Sequence, residues 1–154
     1  MQTKLKVIEV KLPNNNQKTS LFVKILGKNV DFKPQITKSS VNNVWDEIFL
    51  IDTPKKVNPL SIEKEQLEIV LLQKSFFHSD NCLGGLMLDL STIRESKKGI
   101  KFWFPVYPLT TKKKNSSPNL FRESPVSPKY NPKTEPIAEL MLHIEMIFSE
   151  VKKN

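Results

Sequence analysis

The feature that most constrains this chain is an alternation near its end, over residues 138–148, in which one set of side chains is apolar and the other is mostly polar. A two-residue period places one set of side chains on one face of a β-strand and the other set on the opposite face. Such a strand is stable only when its apolar face packs against another layer. The apolar phase consists of Leu140, Leu142, Ile144 and Met146. The alternation therefore predicts a half-buried strand in a layered β architecture.

Seven further segments are short, rich in Val, Ile, Leu and Phe, and bounded by residues that favour turns, which is typical of strands. In the first of them the apolar phase changes between Val7 and Ile8, which predicts a β-bulge. Helical turns are predicted only over residues 60–66 and 91–97. The pattern predicts an all-β fold, an eight-stranded antiparallel β-sandwich. The predicted strands are Lys4–Leu12, Leu21–Lys28, Phe32–Ser39, Val44–Ile51, Leu67–Gln73, Leu83–Leu90, Lys101–Leu109 and Ala138–Phe148.

The length of 154 residues fits a single domain over residues 1–154. Residues 110–136 stand apart, because they contain five of the eleven prolines, six cationic side chains and two acidic ones. This segment is too polar and too rich in proline to fold alone. We predict a basic Pro/Ser-rich insertion at 110–136, which carries half of the net charge of +8.

The positive charge favours polyanionic partners, which are acidic lipids, nucleic acids or acidic proteins. Nucleic acid is disfavoured, because the aromatic residues fall mostly at predicted core positions and do not interleave with the lysines. The single Cys82 excludes an intrachain disulfide. No apolar run has the length of a signal sequence or a membrane span. We expect a cytoplasmic protein with peripheral membrane association.

The sequence offers little for catalysis. His78 and His143 are the only histidines, and neither falls into a zinc-ligand pattern or a nucleophile–base constellation. With four glycines, no phosphate-binding loop can be built. We predict that the protein is not an enzyme and uses no cofactor.

Three stretches of the chain resemble the C2 domain family. The segment Leu21–Ile25 resembles the family's D-P-Y-V-K-V strand with Asp-Pro replaced, and Val41–Glu47 resembles N-P-x-W-N-E with Asn43 in the place of proline. Residues 67–84 resemble L-x-I-x-V-x-D-x-D followed by D-x-x-G. A final E-L-M-L at 139–142 resembles another strand of the family, and its position resembles the permuted topology of phospholipase and novel protein kinase C domains. The resemblance implies a β-sandwich that docks on membranes or on proteins.

Many C2 domains bind Ca²⁺ through aspartates in two loops, since this cation needs several hard oxygen ligands. The resemblance aligns those aspartates with Ser20, Gln73, Ser75 and Asn81, none of which is a carboxylate. Asp80 lies one residue out of register, and a shifted site that combines it with asparagine side chains is the alternative. We predict a calcium-independent C2 module for peripheral binding to anionic phospholipid membranes. The alternative function is a protein-interaction or scaffolding domain without lipid binding.

Alternate loops of an up-and-down strand order lie at the same end of a sandwich. Residues 13–20, 40–43, 74–81 and 110–136 are therefore expected to share one end. The lipid-binding candidates at that end are Lys18, Lys74, Phe76, Phe77, Lys112, Lys113 and Lys114. The alternatives are that a phenylalanine packs under its own loop and that the lysines are simply solvated.

Two further sets of candidates lie elsewhere. A basic side patch is predicted on the second and third strands, where the resemblance implies phosphoinositide binding, unless its lysines are scattered on the surface. Its members are Lys24, Lys28, Lys33 and Lys38. Ser-Pro pairs in the insertion resemble proline-directed phosphorylation sites, although proline-rich segments also produce such pairs by chance. Phosphorylation would add about −1.5 to −2 charge at each site beside the lysines. The candidate serines are Ser117, Ser124 and Ser127.

Overall fold

The structure is a computed structural model that describes residues 2–13, 19–52, 65–95, 98–110 and 129–147. These residues form two four-stranded antiparallel sheets, so the predicted eight-stranded β-sandwich is confirmed. Sheet A has the strand order β4-β1-β8-β7, and sheet B has the order β3-β2-β5-β6. The elements in chain order are β1 Gln2–Lys11, β2 Leu21–Lys28, β3 Gln35–Ile36, β4 Val44–Asp52, β5 Gln66–Gln73, β6 Asn81–Asp89, α1 Leu90–Glu95, β7 Ile100–Val106 and β8 Ala138–Ile147.

The core lies between the two sheets and is built from the side chains of alternate positions. In β8, the predicted apolar phase is confirmed, because Leu140, Leu142 and Ile144 are fully buried. They lie beside Leu5 and Val7 of the neighbouring β1. Sheet B contributes the facing layer, which consists of Val23, Ile25, Leu67, Ile69 and Leu71. The two-residue period of each strand therefore determines which face of each sheet packs against the other.

The predicted bulge in β1 is confirmed. The register of β1 shifts between Val7 and Glu9 against both of its neighbours, β4 and β8. Because of this shift, the core-facing positions of β1 change from odd-numbered to even-numbered residues. Val7 is therefore buried before the bulge and Val10 after it. Beyond the bulge, the backbone N–H of Val10 donates to the carbonyl of Asn43 at 2.9 Å. Asn43 has a φ of 64°, which proline cannot adopt, and this accounts for the departure from the family's proline at this position.

Three predicted strand boundaries are wrong, each for a local reason. The strand predicted over 32–39 is reduced to β3, because Pro34 has no N–H for a ladder and the strand lies at the edge of sheet B. Thr37 then replaces part of the ladder, since its N–H and its hydroxyl both hydrogen-bond the backbone of Val23 at 2.9 Å. Leu90, predicted as the end of a strand, begins α1 instead. The prediction of a helical turn near 91–97 is thus confirmed in part. Of the turn predicted over 60–66, residues 60–64 lie outside the described residues, and Gln66 begins β5 instead of ending a helical turn.

The third wrong boundary is that of β7, which ends at Val106 instead of Leu109. After Val106 the chain leaves sheet A, and Tyr107 exchanges two backbone hydrogen bonds with Gly85 of β6 in sheet B, at 3.0 and 2.9 Å. The chain then pairs with the returning end of the insertion. Thr110 donates its N–H to the carbonyl of Lys129 at 2.8 Å, and Asn131 donates to Pro108 at 3.0 Å.

The returning end of the insertion covers the outer face of sheet B. Tyr130 is only 4% exposed, and its ring lies over Gly85. A Cβ atom on Gly85 would approach the Tyr130 ring and the Ile69 carbonyl oxygen to 2.6 Å each, so no larger residue fits there. Gly84 and Gly85 both lie within β6, where the absence of side chains allows close approach of another segment.

An ion pair holds the same segment in place. The Lys129 ammonium lies 2.7 Å from a Glu68 carboxylate oxygen, and Glu68 is one of the few buried charged residues in the described part of the chain. Burying a carboxylate without a partner would be costly, so Lys129 offsets a charge that the sheet itself cannot satisfy. Residues 129–136 of the predicted insertion thus belong to the packed body, whereas 111–128 lie outside the described residues.

We predict that residues 111–128 can be replaced by Asn-Gly with little effect on the melting temperature. Thr110 and Lys129 already pair, and loop-closure entropy changes slowly with loop length. Tyr130→Ala, the contrasting variant, should cost about 3–5 kcal/mol in the free energy of unfolding, as is typical of a buried aromatic residue. Denaturant unfolding followed by circular dichroism measures both. A large loss of stability in the replacement variant would show that 111–128 is a structural part of the domain.

A second prediction concerns pH. Burial and the neighbouring Glu68 carboxylate raise the pKa of Tyr130 above its ordinary value. The folded state therefore favours the neutral phenol, and the stability that depends on it should be lost as the pH rises above about 10, the ordinary tyrosine value. Over that range Tyr130 should contribute a slope of at most about 1.4 kcal/mol per pH unit to the unfolding free energy. Tyr130→Phe should remove this contribution while leaving the stability at pH 7 nearly unchanged, and equal alkaline slopes in the two proteins would contradict the assignment.

Candidate functional site

Three connections between strands meet at one end of the sandwich, which we call the loop end: residues 12–20, 37–43 and 74–80. The N–H of Lys74 donates to the carbonyl of Ser20 at 2.9 Å. Ser40 and Leu21 exchange two backbone hydrogen bonds, at 2.8 and 2.9 Å. These bonds join the described parts of the three connections, as the up-and-down strand order predicts. The predicted fourth member of this group differs, because the paired residues Thr110 and Lys129 lie beside β6, where Lys129 contacts Glu68.

The connection between β5 and β6 forms a small turn with internal hydrogen bonds. The Ser75 N–H donates to a carboxylate oxygen of Asp80 at 3.1 Å, and the His78 N–H donates to the Ser75 hydroxyl at 3.2 Å. The turn directs Phe76 and Phe77 away from the body, so that they are 83% and 92% exposed. The alternative in which a phenylalanine packs beneath its own loop is therefore wrong.

Val41, in the connection before β4, is a third exposed apolar side chain at the loop end. It is 75% exposed and directly follows Ser40, which is bonded to Leu21. Val41 is not among the candidates predicted from the sequence, although an isolated valine in the polar stretch 38–43 is a signal of an exposed apolar side chain. The loop end therefore presents apolar tips from two adjacent connections, next to the exposed Lys74.

The positions aligned with calcium ligands lie together at the same end. Gln73 is the cross-strand neighbour of both Leu21 and Asn81, Ser20 precedes Leu21, and Ser75 begins the turn. These positions offer amide and hydroxyl groups instead of carboxylates. The one nearby acid, Asp80, already accepts the hydrogen bond of Ser75. Within the described ranges, no group of three or more His, Cys, Asp or Glu side chains could hold a metal ion.

Comparison with known proteins identifies the family. A model of the C2 domain matches residues 1–106, more than half of the chain. The chain belongs to the C2 domain family. The C2 domain resembles solved structures in fold as well, whereas a search of curated protein sequences finds no match.

Three solved structures illustrate this likeness. A C2 domain of plant extended synaptotagmin 1 superposes with a TM-score of 0.60 at 13% identity, over 96% of each chain. A calcium-bound structure of the paired C2 domains of extended synaptotagmin 2 gives 0.56 at 16% identity, over 94% of this chain and 44% of that one. Human GIVD cytosolic phospholipase A2 gives 0.57 at 15% identity, and this chain spans only 16% of it. At these identities the likeness is one of fold.

The four lysines of the predicted side patch are spread over the domain. Lys24 and Lys28 share the outer face of β2, where their cross-strand neighbours in β5 are Val70 and Gln66. Lys33 is exposed in the connection between β2 and β3. Lys38 is exposed after β3, and its N–H donates to a Glu47 carboxylate oxygen at 2.9 Å, which places an acidic side chain beside it. The patch stays a prediction, with Lys24 and Lys28 as its best-aligned pair.

Several candidates lie outside the described residues. They are Lys18, Lys112, Lys113, Lys114, Ser117, Ser124 and Ser127. Residues 111–128 are flanked by Thr110 and Lys129, which are described and pair with each other beside β6.

Two other potentially reactive side chains, those of His143 and Cys82, are engaged by neighbouring residues or partly buried. The Nε2 atom of His143 lies 2.9 Å from a carboxylate oxygen of Glu145, two residues along β8. Burial raises the pKa of the Cys82 thiol, although Lys129 acts in the opposite direction, and the raised pKa disfavours the reactive thiolate. No helix in the described part of the chain is long and apolar enough to cross a membrane.

We predict that Ca²⁺ does not stabilise the domain. Amide and hydroxyl oxygens do not offset the dehydration of Ca²⁺ as several carboxylates do. Thermal melts at millimolar Ca²⁺ should match those at equal Mg²⁺, and calorimetric titration should detect no tight site. A rise of several degrees that is specific to Ca²⁺ would contradict this prediction, and loss of that rise in Asp80→Asn would assign it to the shifted site.

Proposed function

We propose that this C2 domain is a calcium-independent module that binds anionic phospholipid membranes peripherally through its loop end. The observation that carries the proposal is the exposure of Phe76 and Phe77 at the tip of a turn, at the same end as Val41 and Lys74. This role is one of binding, without catalysis, and it corresponds to a cytoplasmic protein that reaches the membrane surface.

The exposed apolar side chains at the loop end favour membrane binding, because their transfer from water into the membrane is favourable. Full burial of a phenylalanine side chain stabilises by about 1.5–3 kcal/mol relative to exposure, and partial entry into the headgroup region gives part of this. The turn that presents the two rings is held by Asp80 and Ser75. Little conformational entropy is then lost when the rings enter the membrane.

Electrostatics supports the same orientation. Basic residues near an anionic leaflet contribute about 1 kcal/mol each, and the chain has a net charge of +8. The positions aligned with calcium ligands are neutral, so the loop end has no cluster of carboxylates among its described residues that a cation must offset before the membrane approaches. The proposal extends to Lys18 and Lys112–Lys114, whose positive charge would add to the attraction. Phosphorylation of Ser117, Ser124 or Ser127 would weaken the attraction.

One observation favours the second candidate function, which is protein interaction. Ile48 and Leu50 are 51% and 53% exposed on the outer face of β4, an edge strand of sheet A. Their cross-strand neighbours in β1 are Lys6 and Lys4. An exposed apolar edge of this kind fits a partner protein, because edge strands offer unpaired backbone groups to a partner.

Vesicle sedimentation tests the membrane proposal. The double variant Phe76→Ser/Phe77→Ser should bind vesicles containing phosphatidylserine at least about tenfold more weakly than the unchanged protein, because about 1.4 kcal/mol of lost burial suffices for that factor. Phe102→Ser is the matched control, since Phe102 is another exposed phenylalanine away from the loop end. Its affinity should stay within twofold.

Salt and lipid composition complete the test. Binding should weaken steeply as ionic strength rises, because exposed charges are screened over about 8 Å at physiological salt. Vesicles of phosphatidylcholine alone should bind far more weakly. Equal binding by the double variant would move the contact to the side patch around Lys24 and Lys28. Failure of the unchanged protein to bind any anionic vesicle would favour the protein-interaction function.

A further inference from the structure

A second candidate site lies in the half of the sandwich away from the loop end. It is a half-open cleft of about 800 Å³ between the free edges of β6 in sheet B and β7 in sheet A. The cleft exists because the chain runs in sheet A as β7 and pairs with β6 only afterwards, at Tyr107. The helix α1 borders it on one side, and the returning segment at Lys129–Pro132 borders it on another. Its volume is in the range of about 300–1,000 Å³ that is usual for small-molecule sites.

The two ends of the cleft differ in chemistry. The part between the sheet edges is apolar, and its lining includes Leu86, Leu88, Ile93, Ile100 and Phe104. The ring of Phe102, which is largely exposed, lies edge-on to Phe104 with 5.8 Å between the ring centroids. This apolar part is lined by aliphatic and aromatic side chains and is open at the surface, so it suits a hydrocarbon chain better than a polar molecule.

The other end of the cleft reaches the outer face of sheet B and is polar. Lys28, Gln66, Glu68, Asp89 and Lys129 line it. Two of these charges are already engaged with each other, since Lys129 pairs with Glu68 at 2.7 Å. The Asp89 carboxylate accepts hydrogen bonds from the N–H and the hydroxyl of Ser91 at the start of α1. Lys28 is exposed and forms no ion pair with a described residue, so it is the cation available to a ligand.

Tyr130 lines the cleft next to the Lys129–Glu68 pair, and the residue is only 4% exposed. Burial and the neighbouring Glu68 carboxylate raise the pKa of its hydroxyl. The hydroxyl atom is covered by protein, so the ammonium of the exposed Lys28 is the polar group that a ligand can reach.

We propose that the cleft binds the anion of a long-chain fatty acid, with the hydrocarbon chain between the edges of β6 and β7 and the carboxylate at Lys28. One available ammonium matches a single negative charge, and the nearby Glu68 and Asp89 disfavour a dianionic headgroup. The tail is held by burial of apolar surface, and the Lys28 ammonium supplies the polar group that orients the ligand.

The proposal is independent of membrane docking through Phe76 and Phe77. The cleft opens away from the loop end, beside α1, and a free fatty acid can enter it without a bilayer. The two ideas can therefore fail separately, because the first is tested with vesicles and the second with a monomeric ligand.

The test is calorimetric titration of the full chain with oleate below the concentration at which it aggregates. Oleate should bind at one saturable site, whereas methyl oleate, which lacks the charge, should bind at least about fivefold more weakly. Lys28→Met should weaken oleate binding by a similar factor. Lys24→Met is the matched control, because Lys24 shares the outer face of β2 with Lys28 but does not line the cleft.

A second variant tests the tail. Thr92→Trp places an indole in the apolar part from an exposed position, without removing a core side chain, and should reduce oleate binding at least tenfold with an unchanged melting temperature. The proposal is overturned if oleate shows no saturable binding, or if both Lys28→Met and Thr92→Trp bind it as the unchanged protein does. Equal binding of oleate and methyl oleate would equally overturn the assignment of Lys28 as the carboxylate partner.

Discussion

The constraint on which the rest of this structure depends is the pairing of the closing strand β8 between β1 and β7. Both edges of β8 are hydrogen-bonded, and its inward side chains Leu140, Leu142 and Ile144 fill the centre of the core. Without it, β7 would lose its only strand partner in sheet A, and the buried backbone groups of both neighbours would lack partners. This strand thus joins the first strand to the seventh, and the directions of the other strands of sheet A follow from antiparallel pairing. The loop end is a consequence of this arrangement.

A second set of interactions ties the two sheets together at their open side. The chain leaves sheet A after Val106, bonds β6 through Tyr107, and returns with Tyr130 over Gly85. This path is possible only because β6 has glycine at 84 and 85, where side chains would collide with Tyr107 and Tyr130. The same path leaves the edges of β6 and β7 apart on the far side of Tyr107. One local choice of residues therefore both anchors the ends of the insertion and creates the cleft.

The charged side chains of the domain also fall into two groups, those that stabilise the packed body and those that shape the loop end. Lys129 belongs to the basic insertion by sequence, yet it neutralises the buried Glu68 and is not available to a membrane. At the loop end, by contrast, the Asp80 carboxylate accepts a hydrogen bond within the turn that presents Phe76 and Phe77. The tip of this turn is therefore apolar and weakly basic. Net charge alone does not reveal this division, because it counts a lysine paired with a buried carboxylate and an unpaired lysine equally. The two proposed sites accordingly differ in what they take: a surface of anionic lipid in one case and a single amphiphilic anion in the other.

By itself the sequence determined the fold class, most strand positions, the bulge in β1 and the grouping of three loops. These features depend on the alternation of side chains and on turn residues, which are visible within short segments of the sequence. The resemblance of LFVKI, VNNVWDE and the following stretches indicated the family, and the missing carboxylates at Ser20, Gln73, Ser75 and Asn81 could be read directly. Only the tertiary structure decided that Gly84 and Gly85 admit another segment, that β7 changes sheets after Val106, that Tyr130 is buried, and that Lys28 faces a cleft. The physical reason is that each of these features is a contact between residues far apart in the chain, and its energy depends on surfaces that come together only when both sheets have formed.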